Sequence, residues 1–471
     1  MPQKALGYLS MMAWVLVATL PFMLQAVGNS GGTSSKPYVM QLRRESVPVR
    51  RKGKAVSFKT SYSGLVHVGR PAQEFRVVFD TGSGNIVLPA LECRSEACLA
   101  HRRYNMKASD TALGINLDGS GILPDELCDQ VNIGFGTGHI VGEFVRERVC
   151  LGKAQSALAV GGSTVMPCID MHVVMAVEMS RHPFKSFEFD GIVGLGLGSL
   201  ALSANFSLFH WLSNSDAANG PAQFAVFLTP GEEGEQSEIA FGGFVPERTL
   251  EPITWAPVVL PNLGYWAVQV IAVRVGGIAL DICNDGNCRG VVDTGSSHLG
   301  IPGPYDQHIA KLLTKAVDQH VDCRMADTPV LEIEVPGRNL TLFPSNYMRP
   351  MPLREDMHDV GSPKGVTMAS RGGSQKSEKP NDSVQPRNLR AETLVRDVTP
   401  EKETNGTLRH YCRPKLMPVT LPEPLGPKMF ILGELVLHRY YSVFDWRQQQ
   451  VGFGLAANRQ NRRGTKLQRD R

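Results

Sequence analysis

Several absences narrow the reading of this 471-residue chain before any motif is considered. There is no excess of one charge: 49 Lys and Arg stand against 45 Asp and Glu, a formal net charge of +4. The basic residues gather near the ends rather than on a core face, which argues against a nucleic-acid partner. None of the 12 His belongs to an HExxH, so a metallopeptidase lacks its usual zinc-binding pair. Only one apolar run approaches membrane-spanning length, Met11 to Leu24 at the N-terminus. With Lys4 before it, Pro21 shortening it and Ala26 and Gly28 after it, that run reads as a signal peptide over 1–28 rather than an anchor. The mature body is then expected without a stable membrane span, in the lumen of the secretory pathway. Amphipathic helical patterns are also scarce. The best is Tyr305 to Val321, with Ile309, Leu312, Leu313, Ala316 and Val317 on one face and Pro304 just ahead.

What is present is strand language. Phe75 to Phe79, Tyr265 to Val275 and Phe430 to Leu437 are short β-branched or aromatic runs, and 47 Gly supply turns between them. The stretch 29–57 carries Arg43-Arg44 and Arg50-Arg51-Lys52 and reads as either a disordered linker or a pro-segment. A cationic pro-segment suits an acidic cleft, gripping it at neutral pH and releasing it when carboxylates protonate. Residues 350–400 are rich in Ser, Gly, Arg, Glu and Pro and poor in large apolar residues, the composition of a disordered insertion. Segment 458–471 is a basic tail, expected to be solvated, with a sorting or membrane-surface role as the alternative.

Nine Cys fit an oxidising compartment. Cys93/Cys98 and Cys283/Cys288 have spacings suited to loop-closing disulfides, and neither pair has a finger-spaced partner for zinc. Cys323 and Cys412 are candidates to close a long loop. Cys128, Cys150 and Cys168 leave an odd thiol whose pairing stays open. Sequons at Asn205, Asn339, Asn381 and Asn405 agree with secretion.

The most informative feature is a long-range repeat. Val78-Phe79-Asp80-Thr81-Gly82-Ser83 recurs as Val291-Val292-Asp293-Thr294-Gly295-Ser296. About 110 and 140 residues later, respectively, come Ile192-Val193-Gly194 and Ile431-Leu432-Gly433. A single Asp-Thr-Gly is an ordinary turn sequence. Two copies, each preceded by apolar residues and followed by an apolar-apolar-Gly element, describe a duplicated unit. Two carboxylates brought together can share one proton, because like charges a few ångströms apart do not both ionise easily. One then acts as base towards water and the other as acid towards a carbonyl oxygen, so peptide hydrolysis needs no metal and no cofactor. In this reading Asp80 and Asp293 are catalytic. Gly82 and Gly295 bring backbone N–H groups towards them, Thr81 and Thr294 tie the two loops together, and Ser83 and Ser296 donate to the outer oxygens.

These motifs resemble those of the pepsin-like aspartic endopeptidases over roughly Ser61 to Ala457. Gly69 to Phe75, Phe189 to Gly196, Phe430 to Gly433 and Tyr440 to Asp445 are similar to further family elements. The resemblance implies an all-β, bilobal fold around a six-stranded interlobe sheet, with lobes over 58–245 and 246–457. It also implies a polypeptide substrate held extended in the cleft and disulfides Cys93–Cys98 and Cys283–Cys288. A monomer, made as a zymogen and acting in an acidic vacuole or outside the cell, is the matching expectation. Some parasite digestive and secretory members, plasmepsin-like ones among them, carry insertions like 350–400. Two departures concern the flap, Gly134-Phe135-Gly136-Thr137-Gly138, where Phe135, Gly136 and Thr137 are the expected substrate contacts. Phe135 stands where the family usually has Tyr, and Val87 where it usually has the Trp that partners that hydroxyl. Because donor and acceptor are lost together, an altered flap is expected rather than an inactive enzyme. The competing reading is an inert peptide-binding protein or inhibitor on the same scaffold. His139 and His298, next to the flap and the second motif, are expected to be loop residues or tuners of pH response.

Overall fold

The structure is a computed structural model that describes residues 36–51, 54–123, 126–135, 138–152, 168–214, 221–231, 234–354, 374–376 and 409–469. The signal segment, the sequons at Asn381 and Asn405 and most of the 350–400 insertion lie outside these residues. Strands dominate, with a few short helices between them.

The backbone of the fold is a six-stranded sheet to which both halves contribute. Its order is Thr254–Pro257, Gln450–Leu455, Tyr440–Asp445, Gln223–Phe227, Ser237–Phe241 and Tyr38–Arg51. The chain halves meet here because the facing side chains are aromatic and fully buried. Phe224 stacks on Phe444 at 4.5 Å, and Trp266 meets both edge to face. Trp266 Nε1 donates to Leu195 O at 2.8 Å, so its polar edge is satisfied while its rings fill the core.

The duplicated sequence becomes a duplicated topology. Gln73–Asp80 runs parallel to Gly191–Gly194, which lies antiparallel to Ile86–Pro89. In the second half Arg289–Val292 runs parallel to Met429–Leu432, which lies antiparallel to Leu299–Pro302. Each apolar-apolar-Gly strand is therefore wedged between the strand entering and the strand leaving an Asp-Thr-Gly turn. Only glycine fits at the crossing. A Cβ on Gly194 would sit 2.5 Å from Asn85 N, and one on Gly433 would sit 2.5 Å from Ser296 O and His298 O.

Three local expectations are corrected. Tyr38–Arg51, expected as a linker or pro-segment, is a strand pairing with both Ser237–Phe241 and Lys54–Val68, which removes the linker reading. The helix expected over 305–321 stops at Leu313; Lys315–Val317 then pairs with His410–Cys412, close to the Cys323–Cys412 disulfide. Phe430–Leu437 is not one strand: Met429–Leu432 passes through Gly433 into a helix, Glu434–Arg439. The basic tail is the helix Arg459–Arg469, its start held by Asn461, whose side-chain nitrogen donates to Arg439 O and Ala456 O. Within the insertion, Ser374–Lys376 forms a short strand beside Asp129–Val131.

Disulfides join Cys93–Cys98, Cys283–Cys288 and Cys323–Cys412. Cys150 pairs with Cys168, which leaves Cys128 as the free thiol. Asn205 and Asn339 are exposed. Among the described residues no helix is long and apolar enough to cross a membrane.

Candidate active site

Asp80 ends its strand and Asp293 directly follows its own, so the two turns meet across the middle of the molecule. Their mutual grip is twofold. Thr81 N donates to Thr294 Oγ1 and Thr294 N donates to Thr81 Oγ1, both at 3.0 Å. Each hydroxyl then donates to the strand of the other half, Thr81 Oγ1 to Val292 O at 2.8 Å and Thr294 Oγ1 to Phe79 O at 2.7 Å. Thr81 is fully buried, so these bonds form in a medium that strengthens them.

The grip sets the carboxyl groups side by side. A Cβ on Gly295 would lie 2.6 Å from Asp80 Oδ1 and 3.2 Å from Asp293 Oδ1, so the two inner oxygens border one small space. Gly82 N donates to Asp80 Oδ1 at 2.9 Å, and Gly295 N to Asp293 Oδ1 at 2.8 Å. The outer oxygens are not equivalent. Ser296 Oγ donates to Asp293 Oδ2 at 2.6 Å, whereas the buried Ser83 hydroxyl makes no hydrogen bond. It is still close enough to pull the Asp80 pKa down, against the larger upward effects of burial and Asp293.

Electrostatics follow from this asymmetry. Burial first, and then the neighbouring charge of Asp293, push Asp80 up to about 7. Burial also raises Asp293, but Ser296, Gly295 and a bond from Asp80 oppose it. Asp80 keeps some solvent-accessible surface although protein surrounds it.

Asp129–Phe135 and Gly138–Leu151 form a hairpin; Gly136 and Thr137, between them in sequence, lie outside the described residues. Phe135 meets Phe184 edge to face at 5.9 Å. Together with Val87, Ile140, Phe189 and Ile192 they line a small, mainly apolar hollow, which His101 and Asp190 also border. The two departures named above, Phe135 and Val87, thus face the same hollow, and neither leaves a polar group there.

The family model described as eukaryotic aspartyl protease matches residues 61–358. The chain belongs to the eukaryotic aspartyl protease family. Its similar relatives include mouse (Mus musculus) cathepsin E, 28% identical over 404 residues, covering 84% of this chain and 80% of the relative. Gastricsin of Suncus murinus is 26% identical, covering 84% and 82%, and human gastricsin is 24% identical with the same coverage. This protease is accordingly an aspartic endopeptidase, a hydrolase acting on polypeptides, with the bilobal all-β fold of the family.

One neighbour of the dyad escaped the sequence reading. Tyr265 is buried, and its pKa is raised by burial first and then by the charges of Asp80 and Asp293. The available signal was its position before Trp266 at the start of the strand pair that leads into the second motif. The two His differ in setting. His139 is exposed, while burial and three cations hold His298 at about 3.

Proposed function

We propose that Asp80 and Asp293 are the catalytic pair of this protease and that one water held between their inner oxygens is the nucleophile. The observation that carries this reading is the convergence of Oδ1 of both residues on the space beside Gly295. The pair titrates as a unit, and its working form has one proton. Asp293 accepts from Ser296 and Gly295 and Asp80 from Gly82, and the single proton is shared between the two carboxyls. In the forward step the ionised member takes a proton from water as the water oxygen bonds to the scissile carbonyl carbon. The protonated member gives its proton to the carbonyl oxygen, leaving a tetrahedral diol. Collapse breaks the C–N bond as the amine takes a proton and the diol returns one to the pair, which restores the starting state.

Thr81 and Thr294 hold the two carboxyls together, and Gly82, Gly295, Ser83 and Ser296 shape their surroundings. The substrate is a polypeptide, and an apolar side chain of it would enter the hollow under Phe135, with Gly136 and Thr137 covering its backbone. Activity would fall as pH rises through about 7, where Asp80 loses the shared proton. The protease is read as a monomer made with a signal peptide over 1–28 and a candidate pro-segment over 29–57. Its lobes span 58–245 and 246–457, and it would work in an acidic vacuole or outside the cell, where its four disulfides persist. Digestion of a peptide library at pH 4 to 6, with and without a pepstatin-type inhibitor, tests this. Inhibitor-sensitive cleavage after apolar residues is expected; binding without cleavage would favour the inert-scaffold reading.

A further inference from the structure

The hairpin that carries Phe135 has two edges, and a segment from the other half of the chain occupies the outer one. Asp129–Phe135 pairs with Gly138–Leu151 on one side. On the other, Ser374–Lys376 runs antiparallel to it, with Ser374 opposite Val131, Gln375 opposite Gln130 and Lys376 opposite Asp129. Without that segment the backbone N–H and C=O groups of Asp129–Val131 would form an open end of the largest sheet. The register also sets a lysine opposite an aspartate, a favourable cross-strand pair.

Three paired residues form few hydrogen bonds and must be ordered to do so, which calls for a further contact to hold them. The surface beside the strand offers one. Met106, Leu113, Leu123 and Leu127 are exposed. They belong to one compact stretch: Ile122 N donates to Gly114 O at 3.2 Å, Leu117 N to Asp129 Oδ2 at 3.1 Å, and Asp129 N to Asn116 Oδ1 at 3.2 Å. A Cβ on Gly114 would lie 3.3 Å from Ile122 Cδ1 and 3.7 Å from Met106 Cε, so these apolar ends lie together. Exposed apolar side chains gathered in this way mark an interaction surface.

The occupant is argued from the chain itself. By the antiparallel register, the chain leaving Lys376 heads towards Cys128 and Leu127. Further on, Ala391, Leu394, Val395 and Val398 stand at i, i+3, i+4 and i+7 between Pro386 and Pro400, the spacing of one apolar helix face. The residues from Lys376 to Ala391 reach at most about 50 Å when extended, ample for a surface that begins beside the strand pair. We propose that the insertion is bound in cis to this shoulder of the molecule. Ser374–Lys376 completes the open edge of the hairpin, and segment 387–399, as an amphipathic helix, covers Leu113, Leu123 and Leu127. The two contacts together brace the hairpin with a segment from the second half of the chain, and neither depends on the catalytic assignment.

The test uses the full chain. Continuing the register sets Ser377 opposite Cys128, the free thiol. Cross-strand Cα separations of about 4.5–5.5 Å are within disulfide reach. On mild oxidation Ser377→Cys should form a disulfide with Cys128, read by mass spectrometry of non-reduced peptides, about tenfold faster than Ser362→Cys does. Equal rates would overturn the strand anchor. Amide hydrogen exchange reads the helix: residues 387–399 should exchange about tenfold more slowly in the full chain than in an isolated peptide of that sequence. Leu123→Asp with Leu127→Asp should raise exchange to the rate of the peptide, and Leu394→Asp with Val395→Asp should do the same from the other side of the contact. Peptide-like exchange in the wild type, or protection that survives Leu123→Asp with Leu127→Asp, would overturn the proposed cover.

Discussion

Replacing Asp80 with Asn should make the folded protein more stable at neutral pH while leaving its stability in acid almost unchanged. The folded carboxyl binds its proton more tightly than the unfolded one: its pKa is raised from the ordinary 3.8 to about 7 by burial and by Asp293. The folded state therefore loses stability as pH climbs from about 4 to about 7, because a proton preferred by the native form is given up. At about 1.36 kcal/mol per unit of pKa, the full effect is on the order of 4 kcal/mol. Solvent reaching Asp80 through the cleft reduces this to roughly 2–4 kcal/mol. Asn has nearly the same shape and no proton to lose. Urea unfolding followed by fluorescence of the five Trp, at pH 4 and pH 7.5, compares the two proteins. The stability gap should be near zero at pH 4 and favour Asp80→Asn by roughly 2–4 kcal/mol at pH 7.5. A gap that is the same at both pH values, or that favours the wild type at pH 7.5, would refute the reasoning.

Other substitutions probe the surroundings of the pair. Phe135→Tyr should stay within about tenfold of wild-type kcat/KM, since the hollow is mainly apolar and a buried hydroxyl without a partner costs only about 1–3 kcal/mol. It should shift preference towards polar or smaller side chains, as read by a peptide library; a folded but inactive variant would contradict this. Thr81→Ala removes the acceptor for Thr294 N and the donor to Val292 O. A stability loss of about 2–4 kcal/mol in urea is expected, with a lower kcat from the loosened carboxyls. Thr294→Ala should behave alike, because the grip is symmetric.

The parts of the protein legible from sequence were those whose signal is local. Asp80, Thr81, Gly82 and their second copies could be read because the chemistry of each turn is written in four adjacent residues. The wedge positions of Gly194 and Gly433 were visible only as recurring patterns, and their reason, a crossing too tight for a Cβ, needed coordinates. Tyr38–Arg51 looked like linker because one of its two partners, Ser237–Phe241, lies some 200 residues away and a polar strand has little signature of its own. Leu435, Val436 and Leu437 are all buried, so an apolar run there could not separate helix from strand. Gly433 decided the matter by ending the strand against Ser296, and Glu434 N then donates to Ser296 O. Ser83 and Ser296 occupy equivalent sequence positions but differ in space, since only Ser296 reaches its carboxylate. The Cys150–Cys168 link follows from strand register, in which the two residues stand opposite one another.

The most direct measurement of the shared-carboxylate mechanism is turnover of one cleavable peptide at pH 5 by Asp80→Asn, Asp293→Asn and the double variant, each checked for folding. Groups that act as one unit lose function together, so either single change should reduce kcat to background and the double change should add almost nothing. A single variant that still cleaves the peptide at near wild-type rate would contradict the account.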